Sequence, residues 1–237
     1  MSQELDSVMR QLEALGTAHT KKSYLSRGVK EPLFGVATGA MKPLKKQIGV
    51  NQPLAEELWD TGNFDAMYLA GMVADVRVMT EADFDRWMDG AYCAMLADSV
   101  VSVTLAESEL AQSVANRWIH SGREDRAAAG WTTYEWLLGW RQDDYFEPRD
   151  IQVLLSLAAA TIRDAAPRVR RAMNNFIVAV GVSYQPLHEQ ALHTADALGP
   201  VPSDAAGEAK PLPGAGDQIR KAAEKGRIGF KRRAVRC

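Results

Sequence analysis

The chain has 237 residues, of which 46% are hydrophobic and 24% are charged, an ordinary composition for a globular protein that can bury its own core. Its two cysteines form no CxxC pair and no Cys/His set with zinc-ligand spacing, which disfavours a disulfide framework or a zinc site. The acidic N-terminus has no apolar signal region, and no run of 18 apolar residues occurs. Secretion and membrane spanning are therefore disfavoured, and we expect the protein in the cytoplasm.

Charge is unevenly distributed along the chain, although the formal net charge is only -2. Residues 218–237 contain eight Lys/Arg and one acid, whereas the other 217 residues contain 20 Lys/Arg and 29 Asp/Glu. A basic arm on an acidic body is typical of a protein with a polyanionic partner, but a solvated chain end has the same composition.

Apolar residues recur at helical spacing through most of the chain, and strand signals are sparse. The first predicted helix covers residues 1–15 and stops at Gly16. Further helices are predicted over residues 51–59, 64–72, 80–95, 108–119, 124–140 and 148–164, with others starting at Pro167 and Pro186. Residues 100–105 could be a strand by composition, but in this context they predict a short buried helix.

These segments, about ten to twelve helices in all, predict an all-α protein of antiparallel helix pairs, arranged as a solenoid or as a bundle. Residues 1–198 form the predicted helical domain. Residues 199–216 are rich in Pro, Gly and Ala and predict a linker. Residues 217–237 form a basic extension with a helix over 218–225, after which Gly226 and Gly229 allow a turn around Ile228.

Motifs of cofactor and metal chemistry are absent from the sequence, so neither a cofactor nor a metal is expected. No Gly-rich phosphate loop and no GxSxG elbow occurs, and His188 and His193 lie five positions apart, not the four that align two imidazoles on a helix. Trp131 and Trp136 could stack on unpaired bases or belong to the core. Asp98 could cap a helix or be a carboxylate in a cleft.

Several short segments resemble, in their order and spacing, motifs of one family. They are residues 34–46, 57–60, 64–67, 97–101, 117–119, 125–128 and 171–176. Together they span about residues 5–195 and are similar to the HEAT-like DNA alkylation repair superfamily (AlkC/AlkD-type). The resemblance implies an α-α superhelix of stacked HEAT-like helix pairs, with a concave basic groove for DNA and no cofactor.

In active members of that superfamily, a carboxylate and tryptophans in the cleft serve the excision of a cationic alkylated base. At the corresponding positions this chain has Ala97, Val101 and Asn175, while Asp98 and Arg126 match the family pattern. A developing oxocarbenium ion needs a fixed negative charge, and Val101 supplies none. The chain therefore resembles more closely the branch of non-excising branched-DNA binders (AlkF/AlkG-type).

The first hypothesis is a monomeric DNA-binding protein that recognises the backbone of distorted or branched double-stranded DNA, with little or no glycosylase activity. Phosphate contacts are predicted for Arg126, Lys42, Lys45, Lys46, Arg168, Arg171, Arg227, Lys231, Arg232 and Arg233. One alternative is an active alkylpurine DNA glycosylase in which Asp98 is catalytic and Trp131 or Trp136 stacks on the base. Another is a helical-repeat scaffold for protein partners, which the acidic body keeps open.

Overall fold

A computed structural model describes residues 2–203 and 211–236, and all regular secondary structure in those ranges is helical. The all-α prediction is therefore confirmed. The chain packs into two compact units, Met1–Leu110 with Val235–Cys237, and Ala111–Ala234. The boundary at residue 110 is not one of the predicted domain boundaries, and residues 204–210 of the predicted linker lie outside the described ranges. None of the described helices combines the length and apolar character needed to cross a lipid bilayer.

The first unit contains eight of the helices that we label. They are α1 (Gln3–Leu15), α2 (Ala18–Leu25), α3 (Lys42–Ile48), α4 (Gln52–Asp60), α5 (Phe64–Val73), α6 (Glu81–Gly90), α7 (Ala94–Leu96) and α8 (Ser102–Glu107). The predicted cap Asn51 accepts a hydrogen bond from the backbone of Leu54, and Thr80 forms a capping box with Asp83. The helix predicted over residues 80–95 is interrupted, since α6 ends at Gly90, a poor helix former.

Helix α5 forms the centre of the first unit and is buried along almost its whole length. Its Asp65 is fully buried, and the carboxylate accepts hydrogen bonds from the backbone N–H groups of Phe34 (2.6 Å), Gly35 (2.9 Å) and Val36 (2.9 Å). Three hydrogen bonds to one charged acceptor compensate for its burial. This buried carboxylate therefore fixes the irregular segment that precedes α3.

The second unit contains the remaining helices. They are α9 (Ala111–Ile119), α10 (Glu124–Trp140), α11 (Pro148–Thr161), α12 (Pro167–Ser183), α13 (His188–Leu198) and α14 (Ala215–Glu224). Helix α12 lies at its centre and packs against α10, α11, α13 and α14. Gly181 permits the contact with α14, because a Cβ atom at that position would lie 2.4 Å from Cδ1 of Ile219.

The basic extension through Ala234 is a packed part of the second unit. The N–H of Gly229 donates to the carbonyl of Val182 (2.8 Å), and the N–H of Arg232 donates to that of Gly139 (2.7 Å). Both carbonyls lie in the last turns of α12 and α10, where the helix itself supplies no donors. Positive φ angles at Gly226 (63°) and Gly229 (76°) confirm the predicted turn.

Candidate nucleic-acid interface

Arginines surround the N-terminal ends of α10 and α12. Arg123 immediately precedes α10, Arg126 lies in its first turn, and Arg168 and Arg171 occupy one face of the start of α12. The carboxylate of Asp125 accepts a hydrogen bond from the guanidinium of Arg123 (2.6 Å) and one from the N–H of Arg126 (2.8 Å). Helix α10 packs against α12, and the positive charge of Arg168 also acts on this carboxylate. We call these four arginines the N-terminal arginine cluster.

Asp125 remains ionised within this cluster. The hydrogen bond from Arg123 lowers the pKa of the Asp125 carboxyl, burial opposes this, and the N–H of Arg126 and the charge of Arg168 lower the pKa further. Even with Asp125 and the exposed Glu124 counted, the cluster has an excess of positive charge. The start of α12 has neither an acidic residue in its first turn nor a side-chain cap, so its helix dipole adds to the positive potential.

The three predicted lysines of the first unit lie on α3. Lys42 and Lys46 are exposed and Lys45 is partly exposed. Positions separated by three and four residues share one face of a helix, so the three ammonium groups form a single cationic face. The structure thus brings these lysines together as one group on the first unit.

The predicted phosphate-binding residues of the C-terminal extension have different environments. Nζ of Lys231 lies 2.8 Å from Oδ1 of Asp143 and donates to the carbonyl of Leu138 (2.8 Å), and its side chain is only 10% exposed. Lys231 is therefore a poor candidate for a phosphate contact, because its ammonium is nearly buried and pairs with Asp143 within the fold. In contrast, Arg227, Arg232 and Arg233 are exposed and remain candidates.

The two predicted base-stacking tryptophans are positioned differently as well. Trp131 is fully buried, and its ring centroid lies 5.0 Å from that of Phe176, so it belongs to the core and has no exposed face for a base. Trp136 is partly exposed, but the guanidinium of Arg232 lies 4.3 Å from its ring centroid. Of the two predicted residues, Trp136 is thus the one that remains a candidate for base stacking.

Asp98 lies in a π-helical turn, Ala97–Val101, that joins α7 to α8 without a break. It therefore does not cap a helix, and that alternative is wrong. Its side chain is partly exposed, whereas Ala97 and Val101 are fully buried. Val101, where the family resemblance implies the cleft carboxylate of active members, is thus apolar and closed to solvent.

A pocket of about 470 Å³ lies at the C-terminal ends of α10 and α12, against α14 and the basic extension. Its lining includes Asn175, Gln218, Arg227, Phe230 and Arg232, and we call it the tail pocket. The sequence interpretation had assigned no role to Phe230, which is 63% exposed. In the sequence, Phe230 stands among cationic residues and turn glycines, and exposed aromatic residues next to cations are typical of surfaces that contact unpaired bases.

The N-terminal arginine cluster and the tail pocket lie at opposite ends of the same helices. Helices α10 and α12 each have 17 residues, which at 1.5 Å per residue corresponds to about 25 Å. Phosphates of one strand are spaced about 3.4 Å apart along the axis of B-form DNA, so this distance corresponds to roughly seven phosphates. The second unit therefore has two separate candidate contact regions.

The chain is similar to a known protein family and to a solved structure. The sequence model of a family described as "DNA alkylation repair enzyme" matches residues 8–209. A solved structure described as "A new family of proteins related to the HEAT-like repeat DNA glycosylases with affinity for branched DNA structures" is 51% identical, with a TM-score of 0.92, and the match covers 98% of this chain and 99% of that chain. This similarity confirms the predicted HEAT-like helical fold.

Two further relatives are uncharacterized proteins of Listeria. Lin0241 of Listeria innocua serovar 6a is 25% identical over 203 residues, which cover 83% of this chain and 87% of that protein. Lmo0209 of Listeria monocytogenes serovar 1/2a is 25% identical over 223 residues, which cover 92% and 96%. The similarity to both extends over most of each chain.

Proposed function

Because the chain belongs to the DNA alkylation repair enzyme family, we propose that it is a DNA-binding protein that recognises the backbone of branched or distorted DNA and does not excise alkylated bases. The observation that carries this proposal is the similarity, at 51% identity over 98% of the chain, to a protein described as having affinity for branched DNA structures. That level of identity over nearly the whole length supports a common binding preference.

The charge distribution supports recognition of the backbone. The N-terminal arginine cluster and the lysine face of α3 contain exposed or partly exposed cations. Arginine and lysine contacts to phosphates position a protein on DNA without reading base sequence. Preference for a branched structure then comes from the shape and deformability of the DNA.

The environment of Val101 supports binding without excision. Glycosidic bond cleavage develops positive charge on the sugar, and a carboxylate fixed next to that charge stabilises the transition state. Val101 is fully buried and apolar, and Asn175 supplies an amide where active relatives have a tryptophan. These positions lack the groups that the excision chemistry uses.

The test is a gel-shift titration at two salt concentrations with plain duplex, methylated duplex and a four-way junction, combined with an assay of base release from the methylated DNA. We expect the tightest binding to the junction, a steep loss of affinity with salt and no released base. Each phosphate contact contributes about 0.9 to the slope of log K against log salt concentration. Equal affinity for duplex and junction, or binding independent of salt, would contradict the proposal.

A second candidate function is excision of alkylpurines with Asp98 as the electrostatic group. The observation in its favour is the π-helical turn, since such turns inside helices often mark functional sites, and Asp98 is partly exposed there. Release of 3-methyladenine or 7-methylguanine that is lost in Asp98→Asn would support this candidate. The absence of release at high protein concentration would end it.

We also propose that the protein acts as a monomer in the cytoplasm and needs no metal. Light scattering during size-exclusion chromatography, with and without junction DNA, should give the mass of one 26.0 kDa chain on each DNA molecule. Junction binding should be unchanged by a chelator. A dimer on the junction or loss of binding in the chelator would refute the corresponding part of this proposal.

A further inference from the structure

The tail pocket contains groups that the proposed backbone contacts leave unused. In the described ranges, 2–203 and 211–236, the side-chain amide of Asn175 and the guanidinium of Arg227 have no partner. The ring of Phe230 is 63% exposed at the same pocket. A volume of about 470 Å³ is within the range of pockets that enclose small organic ligands.

These groups match the parts of a single nucleotide. An exposed aromatic ring can stack on any base, and base–aromatic stacking is a general means of binding unpaired nucleotides. The amide of Asn175 offers both a donor and an acceptor to a base edge. Two exposed guanidiniums, those of Arg227 and Arg232, can contact the phosphates on either side.

The remaining lining indicates which part of a nucleotide would lie inside the pocket. Glu135 lines the pocket, and the ends of α10 and α12 present the negative ends of their helix dipoles there. A carboxylate and helix C-terminal ends disfavour a phosphate beside them and favour the amino groups of a base, whereas Arg227 and Arg232 supply the positive charge in the same lining. The base therefore fits inside and the phosphates fit at the rim.

Arg232 is already fixed in position at that rim. Its guanidinium lies 4.3 Å from the ring centroid of Trp136, and its backbone N–H donates to the carbonyl of Gly139. A side chain held by a cation–π contact loses less conformational freedom on binding than a free one. The basic extension thus forms one side of the pocket, and its Arg232 side chain is preorganised for binding.

We propose that the tail pocket holds an unpaired nucleotide of branched DNA, with its base stacked on Phe230 and hydrogen-bonded to Asn175, and its flanking phosphates bound by Arg227 and Arg232. This inference rests on the proposed DNA binding and gives it a local cause. A continuous duplex keeps its bases paired and stacked, whereas a branch point can present an unpaired one. The pocket therefore favours branched DNA through the base as well as through shape.

The test compares two three-way junctions of the same sequence, one with an unpaired adenine at the branch point and the other with an abasic analogue at that position. For the wild-type protein we expect about 5- to 100-fold tighter binding to the junction with the base. A 2-aminopurine at the same position should lose fluorescence when it stacks in the pocket.

The variant Phe230→Ala should lose most of the preference for the junction with the base, and Phe230→Tyr should restore it because tyrosine keeps the aromatic ring. Both changes are at an exposed side chain, so folding should be unaffected. Val153→Ala is the matched control, since Val153 is 59% exposed on α11 of the same unit and does not line the pocket. This control should keep the full preference.

Two results would overturn the inference and leave DNA binding intact: equal binding of both junctions by the wild-type protein, or an undiminished preference in Phe230→Ala. If the wild-type protein bound neither the three-way junctions nor a four-way junction, both the inference and the proposed function would be refuted. Binding of the fully paired four-way junction by Phe230→Ala, with loss of the base preference alone, is the result that supports both.

Discussion

The two ends of the α10 and α12 pair use basic residues in opposite ways. At the N-terminal ends, the N-terminal arginine cluster lies on the surface. At the C-terminal ends, Lys231 is nearly buried and donates to the carbonyl of Leu138. A cation at a helix C-terminus stabilises the fold, because it complements the carbonyls and the negative end of the dipole.

The positions of the arginines in the N-terminal arginine cluster are harder to explain by a contribution to the stability of the fold. A cation in the first turn of a helix faces the positive end of the dipole and costs a few tenths of a kcal/mol. Arg126 and Arg168 both have that position, and Asp125 offsets only part of the charge. Surface cations at these positions fit the anionic partner that we propose, whereas Lys231 contributes to the packing of the chain end.

The largest expected effect comes from removing the surface charge at the N-terminal ends. In Arg126→Ala/Arg168→Ala/Arg171→Ala, we expect junction binding to weaken by about 100-fold at low salt. The slope of log K against log salt concentration should fall by up to about 2.7, which is about 0.9 for each engaged phosphate. Gel-shift titrations at several salt concentrations measure both quantities.

The matched control removes the same number of arginines elsewhere. Arg10, Arg27 and Arg149 are exposed and lie outside the cluster, so their triple alanine variant should keep most of the affinity. If the control lost as much affinity as the cluster variant, net charge and not the position of the arginines would govern binding.

The second largest effect should be a loss of stability in Lys231→Ala. This change removes the ion pair with Asp143 and a donor to the carbonyl of Leu138, so the free energy of unfolding should fall by about 2 kcal/mol. Binding of the fully paired junction by the folded variant should stay within about twofold of wild type. Urea denaturation measures the first quantity, and Arg233→Ala, at an exposed neighbour, should change it by less than about 0.5 kcal/mol. Equal stability of the two variants would refute the structural role of Lys231.

A smaller effect is expected where the basic extension turns. Gly229 has a φ of 76°, so Gly229→Ala should lower the free energy of unfolding by about 1 kcal/mol. A Cβ atom there would also lie 2.6 Å from Nε2 and 2.9 Å from Cγ of Gln185, so that side chain would have to shift. Gly39→Ala is the control, because position 39 has negative φ and open space around its Cβ. Unchanged unfolding in Gly229→Ala would show that the turn contributes little to stability.

The smallest effect concerns Asp125. Since the folded state lowers the pKa of its carboxyl, ionised Asp125 stabilises the protein above the unfolded pKa of about 3.9, and this contribution is lost as the pH falls through the folded value. Asp125→Asn should cost less than about 1 kcal/mol at pH 7 because the pair with Arg123 is largely exposed. The difference from wild type should shrink as the pH falls below about 3.9 and vanish only once the pH is below the lowered pKa of the folded state.

The same substitution should tighten DNA binding by about two- to fivefold, since it removes a negative charge beside the arginines. Weaker binding by Asp125→Asn would mean that Asp125 is needed to hold Arg123 or Arg126 in position. The two measurements therefore separate the electrostatic role of Asp125 from a positioning role.

Much of the local structure could be predicted from particular residues. Pro148 and Pro167 stand at the first helical positions of α11 and α12, where the missing N–H costs nothing. The helix predicted over residues 124–140 agrees with α10, and residues 100–105 are helical as predicted. The break after Gly90 was not predicted although a glycine marks it, and the π-helical turn at Asp98 has no specific local signal in the sequence.

The sequence by itself determined the all-helical class, many of the helix starts, the glycine turn and the resemblance that the comparisons confirm. Only the tertiary structure decided which side of each segment faces the core. Trp131 and Trp136 are both on α10, a helix with large aromatic residues on several faces, so periodicity could not tell the buried indole from the exposed one. Lys231 and Arg232 are neighbours with opposite roles, because consecutive side chains of an irregular segment can point to opposite sides, and packing determines which side is buried.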